Sequence, residues 1–231
     1  MNANRPVSFD WWEQGEDFFS QMTIGLADHD LDGPTLLEGW MRRTVIAHVA
    51  RNADALCNLL SWARTGDESP MYPSREARDK GIADTARLAP ADLLADYRNA
   101  TGSLAEAMHS LPDGAWSAQV RNAQGRTLPA SDIPWMRCRE VWIHAVDLDS
   151  GASFSDLPND VLVALIDDIT GNWERRGEKP PIRLRAAGRT WGDGSTTVAG
   201  SLHEMVGWLT GRVGAGELQV DGTLDDPPGW L

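Results

Sequence analysis

The chain has 231 residues, which allows one large domain or two modest ones, each able to bury a core. With 42% hydrophobic and 24% charged residues it reads as a globular protein, which excludes a disordered class. A formal net charge of -13 with no compensating basic stripe excludes a nucleic acid partner, and no apolar run reaches the ~18 residues of a membrane span.

Two cysteines, Cys57 and Cys138, are too few for a disulfide framework and point to a reducing cytoplasm. The N-terminus, MNANRPVSFDWWEQGEDFF, carries acids and lacks a long apolar stretch, so no secretory signal is expected. Eleven tryptophans stand against two tyrosines and four phenylalanines, an excess that suits core packing, with some rings free to wall a cavity.

Residues 9–28 read as a first helix, because Phe9, Trp12, Phe18, Phe19 and Met22 recur near the helical period. HDLDGP, at 29–34, is a turn. A second helix is expected from about Thr35 to Thr65, with Thr35 as cap and Glu38 closing a capping box. Its inward stripe is Leu37, Trp40, Met41, Thr44, His48, Asn52 and Leu56, and Gly66 ends it. Residues 67–89 form a long polar connection with room for a short helix at 74–84; excursions of this length often serve as binding loops or lids. A third helix spans 90–110 with Pro90 in its first turn, and a loop at 112–130 contains a short hairpin around VRNAQGRTL. The fourth helix starts near Ser131, with Ser131 or Asp132 as cap and Pro134 in its first turn. Four helices in this length suggest an up-and-down bundle.

The texture changes at 147–160, an acidic stretch rich in Ser, Asp and Gly. The boundary is set there, giving a helical domain over 1–152 and a small α+β domain over 153–231. A helix at 161–175, strands at IRLRA and TTVAG, a helix at SLHEMVGWLTGR closed by Gly211, and a strand at ELQVDG make up the second domain. Trp230 and Leu231 are expected to pin the tail. GRVGAG lacks the preceding strand that a dinucleotide-binding glycine loop requires. The fold class is therefore α+β with two domains.

Glu140 and His144 are four apart on the fourth helix, so their side chains leave one face a turn apart. A third metal ligand must come from another element, and His48 lies on the inward stripe of a long helix. Two histidines and one acid leave a coordination position open, as in catalytic rather than structural sites. By spacing alone the signal is weak: a Glu and a His four apart on a helix are more often a solvated ion pair, and a lone histidine such as His48 in a helical stripe more often a hydrogen-bonded core residue. The flanking Val141, Trp142, Ile143 and Val146 favour the metal, because a carboxylate among apolar neighbours is costly without a counter-charge. Cys57 and Cys138 read as buried thiols pointing away from this cluster. His29, His109 and His203 read as cap or surface residues, and Arg212 as a charge closing a helix against its dipole.

The segments LLEGWMRRTVIAHVARNADALCNLLSWARTG (36–66), DESPMYPSREAR (67–78) and GRTLPASDIPWMRCREVWIHAVDLDSG (125–151), with GRVGAGELQV and PPGWL, resemble the mycothiol-dependent maleylpyruvate isomerases of the DinB-like metal-binding superfamily. The resemblance implies a DinB-like four-helix bundle and a small, sterol-carrier-like C-terminal domain that closes the active site. It implies zinc on His48, Glu140 and His144, mycothiol as the external thiol, and Arg212 as the arginine needed for isomerisation. The implied reaction converts maleylpyruvate to fumarylpyruvate in gentisate breakdown, a branch of aromatic hydrocarbon catabolism. Reversible thiolate addition would turn the cis double bond into a rotatable single bond, while Arg212 pairs with a substrate carboxylate or the developing enolate.

Without the resemblance, the same ligands suit iron, manganese or nickel. A mycothiol-dependent S-transferase and a non-catalytic metal-binding protein are the alternative readings. Asn52, Arg78, Arg126 and Arg139 are polar candidates for supporting the zinc ligands or for holding mycothiol, without a ranking among them. The expected partners are small molecules alone, with a monomer as the expected assembly.

Overall fold

Helix α1 (Ser8–Ile24) forms around the apolar face of Phe9, Trp12 and Phe19, all buried, in a computed structural model that describes residues 6–225 and 227–229. It ends four residues short of the expected limit. The Asp30 carboxylate accepts from the Ala27 N–H (2.9 Å) and starts a separate 3-10 turn at Asp28–Asp32. A short acidic side chain has here offered the backbone an alternative to the helix.

Helix α2 (Arg42–Thr65) begins seven residues later than the capping box suggested. The Thr35 hydroxyl accepts from the Leu37 N–H (3.1 Å) and lies 3.0 Å from the Trp40 carbonyl, so it closes a loop instead of capping a helix. Gly39, at φ +76°, turns that loop, and Pro34 bridges Met41 across it. Leu37, Trp40 and Met41 therefore leave the helical stripe. His48, Asn52 and Leu56 remain on it and are buried. Arg42 latches the start of α2 to the chain beyond the fourth long helix, donating to the carbonyls of Leu148 (2.7 Å) and Asp149 (2.8 Å).

The 67–89 connection contains helix α3 (Arg75–Ala86), capped by the Ser74 hydroxyl on the Ala77 N–H. Helix α4 (Pro90–His109) begins with its proline where no N–H is needed. The antiparallel hairpin β1 (Gln119–Arg121) and β2 (Thr127–Pro129) pairs Val120 with Leu128, both buried. Helix α5 (Ile133–Asp147) follows a 3-10 turn at Ala130–Asp132. Asp132 stands at the cap position with helical dihedrals (φ -83°, ψ -13°), so it continues the turn and makes no side-chain cap; capping needs an extended residue.

The chain divides at Gly151/Ala152 into two compact units. In the first, α1 packs on α5, α5 on α2, and α2 on both α3 and α4. Phe19 meets Tyr97 of α4 at 5.4 Å. In the second, α6 (Asn159–Arg176) packs on α7 (Leu202–Leu209), beside a sheet of order β4-β3-β5-β6. Strand β3 (Ile182–Ala186) is parallel to β5 (Thr196–Ala199) and antiparallel to β4 (Arg189–Trp191), and β6 (Gln219–Asp221) is antiparallel to β5. The unexpected strand is β4. Its two-residue turn is Ala187-Gly188, both with positive φ (48° and 75°), so a hairpin turn is built without the Asn-Gly or Asp-Gly that would advertise it. Trp173 donates to the Pro228 carbonyl (3.1 Å) and Arg176 to that of Gly229 (2.6 Å), holding the tail. The expected anchors Trp230 and Leu231 lie outside the described residues. No helix among the described residues is long and apolar enough to cross a membrane.

The chain is thus α+β: the first unit is helical apart from one short hairpin, and the second combines α6 and α7 with the larger sheet. The contact between α1 and α5 is closest at Gly15, where a methyl group would sit 2.6 Å from the Trp142 indole nitrogen and 2.7 Å from Val141. Gly15→Ala is expected to destabilise the protein by about 1–3 kcal/mol through overpacking, which outweighs the ~1 kcal/mol gain in helix propensity. The midpoint of urea unfolding checks this; an unchanged or raised midpoint would contradict the close approach.

Candidate metal centre

His48 sits in the second turn of α2, and Glu140 and His144 lie one turn apart on the neighbouring α5. His48 Nε2 is 3.0 Å from Glu140 Oε2, and His144 Nε2 is 3.3 Å from the same oxygen. One ligand atom from each residue falls within 4.8 Å of the others. The two imidazoles meet edge-to-face at 4.8 Å, and the Trp40 ring covers His48 at 5.6 Å. The spacing-based choice of three residues is therefore brought together in one place.

A fourth residue orients the set. Asp147, fully buried, accepts a hydrogen bond from the Nδ1–H of His144 (2.8 Å). This leaves the Nε2 lone pair aimed at Glu140, and two electron pairs facing one another need a proton or a cation between them. The carboxylate–histidine arrangement is the one that fixes the tautomer of metal-bound histidines. On the far side of His48, Arg78 of α3 places Nη2 3.5 Å from Nδ1.

The charges fit a divalent ion. Burial lowers the His48 pKa, and Glu140 only partly opposes it, so this imidazole favours its neutral, ligand form. Burial would raise the Glu140 pKa, but hydrogen bonds from His144 and His48 outweigh it and hold the carboxyl well below its usual range. Burial likewise opposes charge on His144, yet Asp147 and Glu140 raise it to about 9. The cluster thus attracts positive charge, and a proton on His144 is what a cation would displace. Two imidazoles and one carboxylate match the donor set of open catalytic sites.

Below the cluster lies a network that sequence spacing does not reveal. Arg137, fully buried and one turn before Glu140, forms a fork with Glu16 of α1 (2.8 and 2.9 Å). Its remaining Nη1 donates to the Val49 carbonyl (2.7 Å) and the Asn52 side-chain oxygen (3.0 Å) on α2. Trp12 and Tyr97 also donate to Glu16 (3.1 and 3.2 Å). Asp147 could have been suspected, being three residues from His144 on one helix. Nothing local links Glu16 to Arg137, 121 residues away.

The other candidates separate. Asn52 is committed to Arg137. Arg126 is 3.7 Å from Asp132, and Arg139 is half-buried on α5. His29 and His203 are exposed. His109 is exposed as well, near the end of α4, with its ring edge-on to Phe9 at 5.3 Å and Nε2 2.9 Å from Glu13. Cys138 is buried as expected, but Cys57 is only half-buried; burial and the nearby Asp54 push its thiol up to about 11. Arg212, in the second unit, follows α7 and donates to the Thr210 carbonyl (2.6 Å) at a cavity of about 610 Å³.

Over residues 12–149 the sequence matches the family profile described as mycothiol maleylpyruvate isomerase N-terminal domain. The chain belongs to this family. The matched span contains all three candidate ligands. In structure, the chain is similar to the crystal structure of the mycothiol-dependent maleylpyruvate isomerase and to that of its histidine-to-alanine mutant. For each, the TM-score is 0.91 at 38% identity, over 96% of this chain and 95% of the other. Two uncharacterised proteins of Mycobacterium tuberculosis, from strains CDC 1551 / Oshkosh and ATCC 25618 / H37Rv, are 25% identical over 66% of this chain. The chain spans 63% of the length of these two curated relatives.

Arg137→Met is expected to cost about 3–5 kcal/mol, because it strands the Glu16 carboxylate among buried groups. Replacing both partners together, Glu16→Leu with Arg137→Met, is expected to recover part of that loss. Chemical denaturation of the single and double variants measures both. A single variant as stable as the parent would show that the pair does not couple the helices.

Proposed function

We propose that this chain is a mycothiol-dependent maleylpyruvate isomerase, converting maleylpyruvate to fumarylpyruvate by a cis–trans change about one carbon–carbon double bond. The observation that carries this reading is the His48–Glu140–His144 cluster, set within the region that matches the family. We place the reaction in the breakdown of gentisate. The free thiols of Cys57 and Cys138 support a reducing, cytoplasmic setting.

His48 and His144 would hold the metal through Nε2 and Glu140 through its carboxylate, and zinc is the ion we propose. When bound, zinc lowers the pKa of a coordinated thiol, so that a thiolate is available near neutral pH. The chain's own residues set the rest. Asp147 keeps the Nδ1 proton of His144 and so keeps Nε2 available as a ligand. Three protein ligands leave one position for the thiol. The ring of Trp40 against His48 shields that ligand from water. Arg212 would bind a carboxylate of the substrate, with its backbone held by hydrogen bonds from its own N–H and that of Val213 to the Gly207 carbonyl (3.0 and 3.1 Å).

For the scaffold, we read α1, α2, α4 and α5 as a DinB-like four-helix bundle with α3 inserted in its long connection. We read the second unit as sterol-carrier-like. The supports are the mutual packing of those helices and the mixed four-stranded sheet beside α6 and α7.

Spectroscopic assay of maleylpyruvate with purified protein is expected to show rapid turnover with mycothiol and none without it. A metal-loaded protein inactive under both conditions would move the assignment to an S-transferase or a non-catalytic binding protein. His48→Ala is expected to lose tight metal binding and at least about 100-fold in kcat/KM, more than the roughly 10–100-fold that losing a residue which only supports a ligand costs. Full metal stoichiometry with normal turnover in that variant would remove the cluster from the mechanism. Arg212→Ala is expected to keep its metal while kcat/KM drops at least tenfold, and an unchanged kcat/KM would free Arg212 of any role.

A further inference from the structure

Beside the metal centre, and wholly within the helical unit, is a groove of about 510 Å³ that the proposed mechanism leaves unused. Its size falls within the ~300–1,000 Å³ range of ligand cavities. The C-terminal part of α2, the 68–75 segment with the start of α3, and the β1–β2 turn form its walls. One of its residues also touches the metal centre. Arg78 places Nη2 3.5 Å from His48 Nδ1, and the Tyr72 ring lies 5.9 Å from the Arg78 guanidinium. That end of the groove therefore approaches His48 from its Nδ1 side.

The charge of this groove runs against that of the protein. Arg75, Arg78 and Arg121 line it with one carboxylate, Glu68, in a chain of net charge -13. Glu68 neutralises little, since it is 3.4 Å from Arg121 and both side chains are more than half exposed (58% and 53%). Arg75 makes no ion pair among the described residues. Arg78 gives one Nη to Asp79 (2.8 Å) and turns the other towards His48. Guanidinium groups present paired donors in a plane, the geometry that matches a carboxylate. A groove with this lining concentrates small anions despite an acidic surface elsewhere.

Resting on the isomerase reading, the substrate is a short oxo acid with a carboxylate at each end, whereas the body of mycothiol is an uncharged, hydroxyl-rich sugar. We infer that the Arg75–Arg78–Arg121 groove is a carboxylate-binding site for the substrate. Arg75 and Arg121 draw in and hold one carboxylate, and Arg78 marks the end of the groove nearest His48. The other carboxylate is left for a second cation.

The test uses the metal-loaded, full-length protein, with maleate as an unreactive dicarboxylate probe in titration calorimetry. Arg75→Gln and Arg121→Gln are each expected to raise the maleate Kd at least threefold, and the double variant at least tenfold. In the same proteins the KM for maleylpyruvate rises in step, while metal content and the KM for mycothiol stay as in the parent. Both side chains are exposed, so the variants are expected to fold, and retained metal content checks that they have. Maleate affinity unchanged in the double variant would overturn the assignment. So would a raised KM for mycothiol with that for maleylpyruvate unaltered, which would give the groove to the thiol. Maleate binding that weakens in the variants of a protein with no isomerase turnover would keep the carboxylate site and defeat the isomerase reading alone.

Discussion

A buried guanidinium holds the helical unit in register. Arg137 joins three helices at once: its own α5, α1 through the fork to Glu16, and α2 through Val49 and Asn52. Val49 follows His48 in the chain, and Arg137 precedes Glu140 by one turn, so this crosslink lies directly beneath the ligands. Removing two charges from water costs several kcal/mol per ion unless each hydrogen bond is made. Here the guanidinium makes four, and Glu16 receives two more from Trp12 and Tyr97. Such a network is favourable only in one relative placement of the helices, and that placement brings His48 to Glu140.

The metal centre repeats the principle with two carboxylates on one ring. Glu140 and Asp147 flank His144 and favour its protonated form, while Arg78 faces His48 on the other side. A cation held by Glu140 and both imidazoles would take the place of that proton, and Asp147 ensures that the ring nitrogen facing inward is the one with a lone pair. The opposite shifts at His48 and His144 follow from this asymmetry, because only His144 has a carboxylate on both ring nitrogens. Perturbed groups gathered in one place are what a functional site is expected to show.

The long connection between α2 and α4 has a purpose in this architecture. A bundle could join those helices in a few residues. The chain spends its extra length on the 68–74 segment and α3, which carry Tyr72, Arg75 and Arg78 to the side of the centre. The connection is thereby a wall of the site, and it sets positive charge where the protein's overall field would repel an acid.

Much of this was legible along the chain. Periodic apolar residues, Pro90, Pro134 and Gly66 marked most of the helices, and the i,i+4 spacing of Glu140 and His144 with His48 on an inward stripe named the cluster. These features are local, so sequence neighbours suffice to specify them. Local rules also misled: Thr35 and Glu38 have the spacing of a capping box, but Gly39 and the Pro34–Met41 bridge take the chain into a loop. Strand β4 hid behind an Ala-Gly turn. Only the tertiary structure decided that Glu16 pairs with Arg137, that Asp147 fixes the tautomer of His144, and that Arg75, Arg78 and Arg121 share one groove. Each of these depends on the distance and desolvation of groups brought together by helix and hairpin packing, which no spacing along the chain encodes.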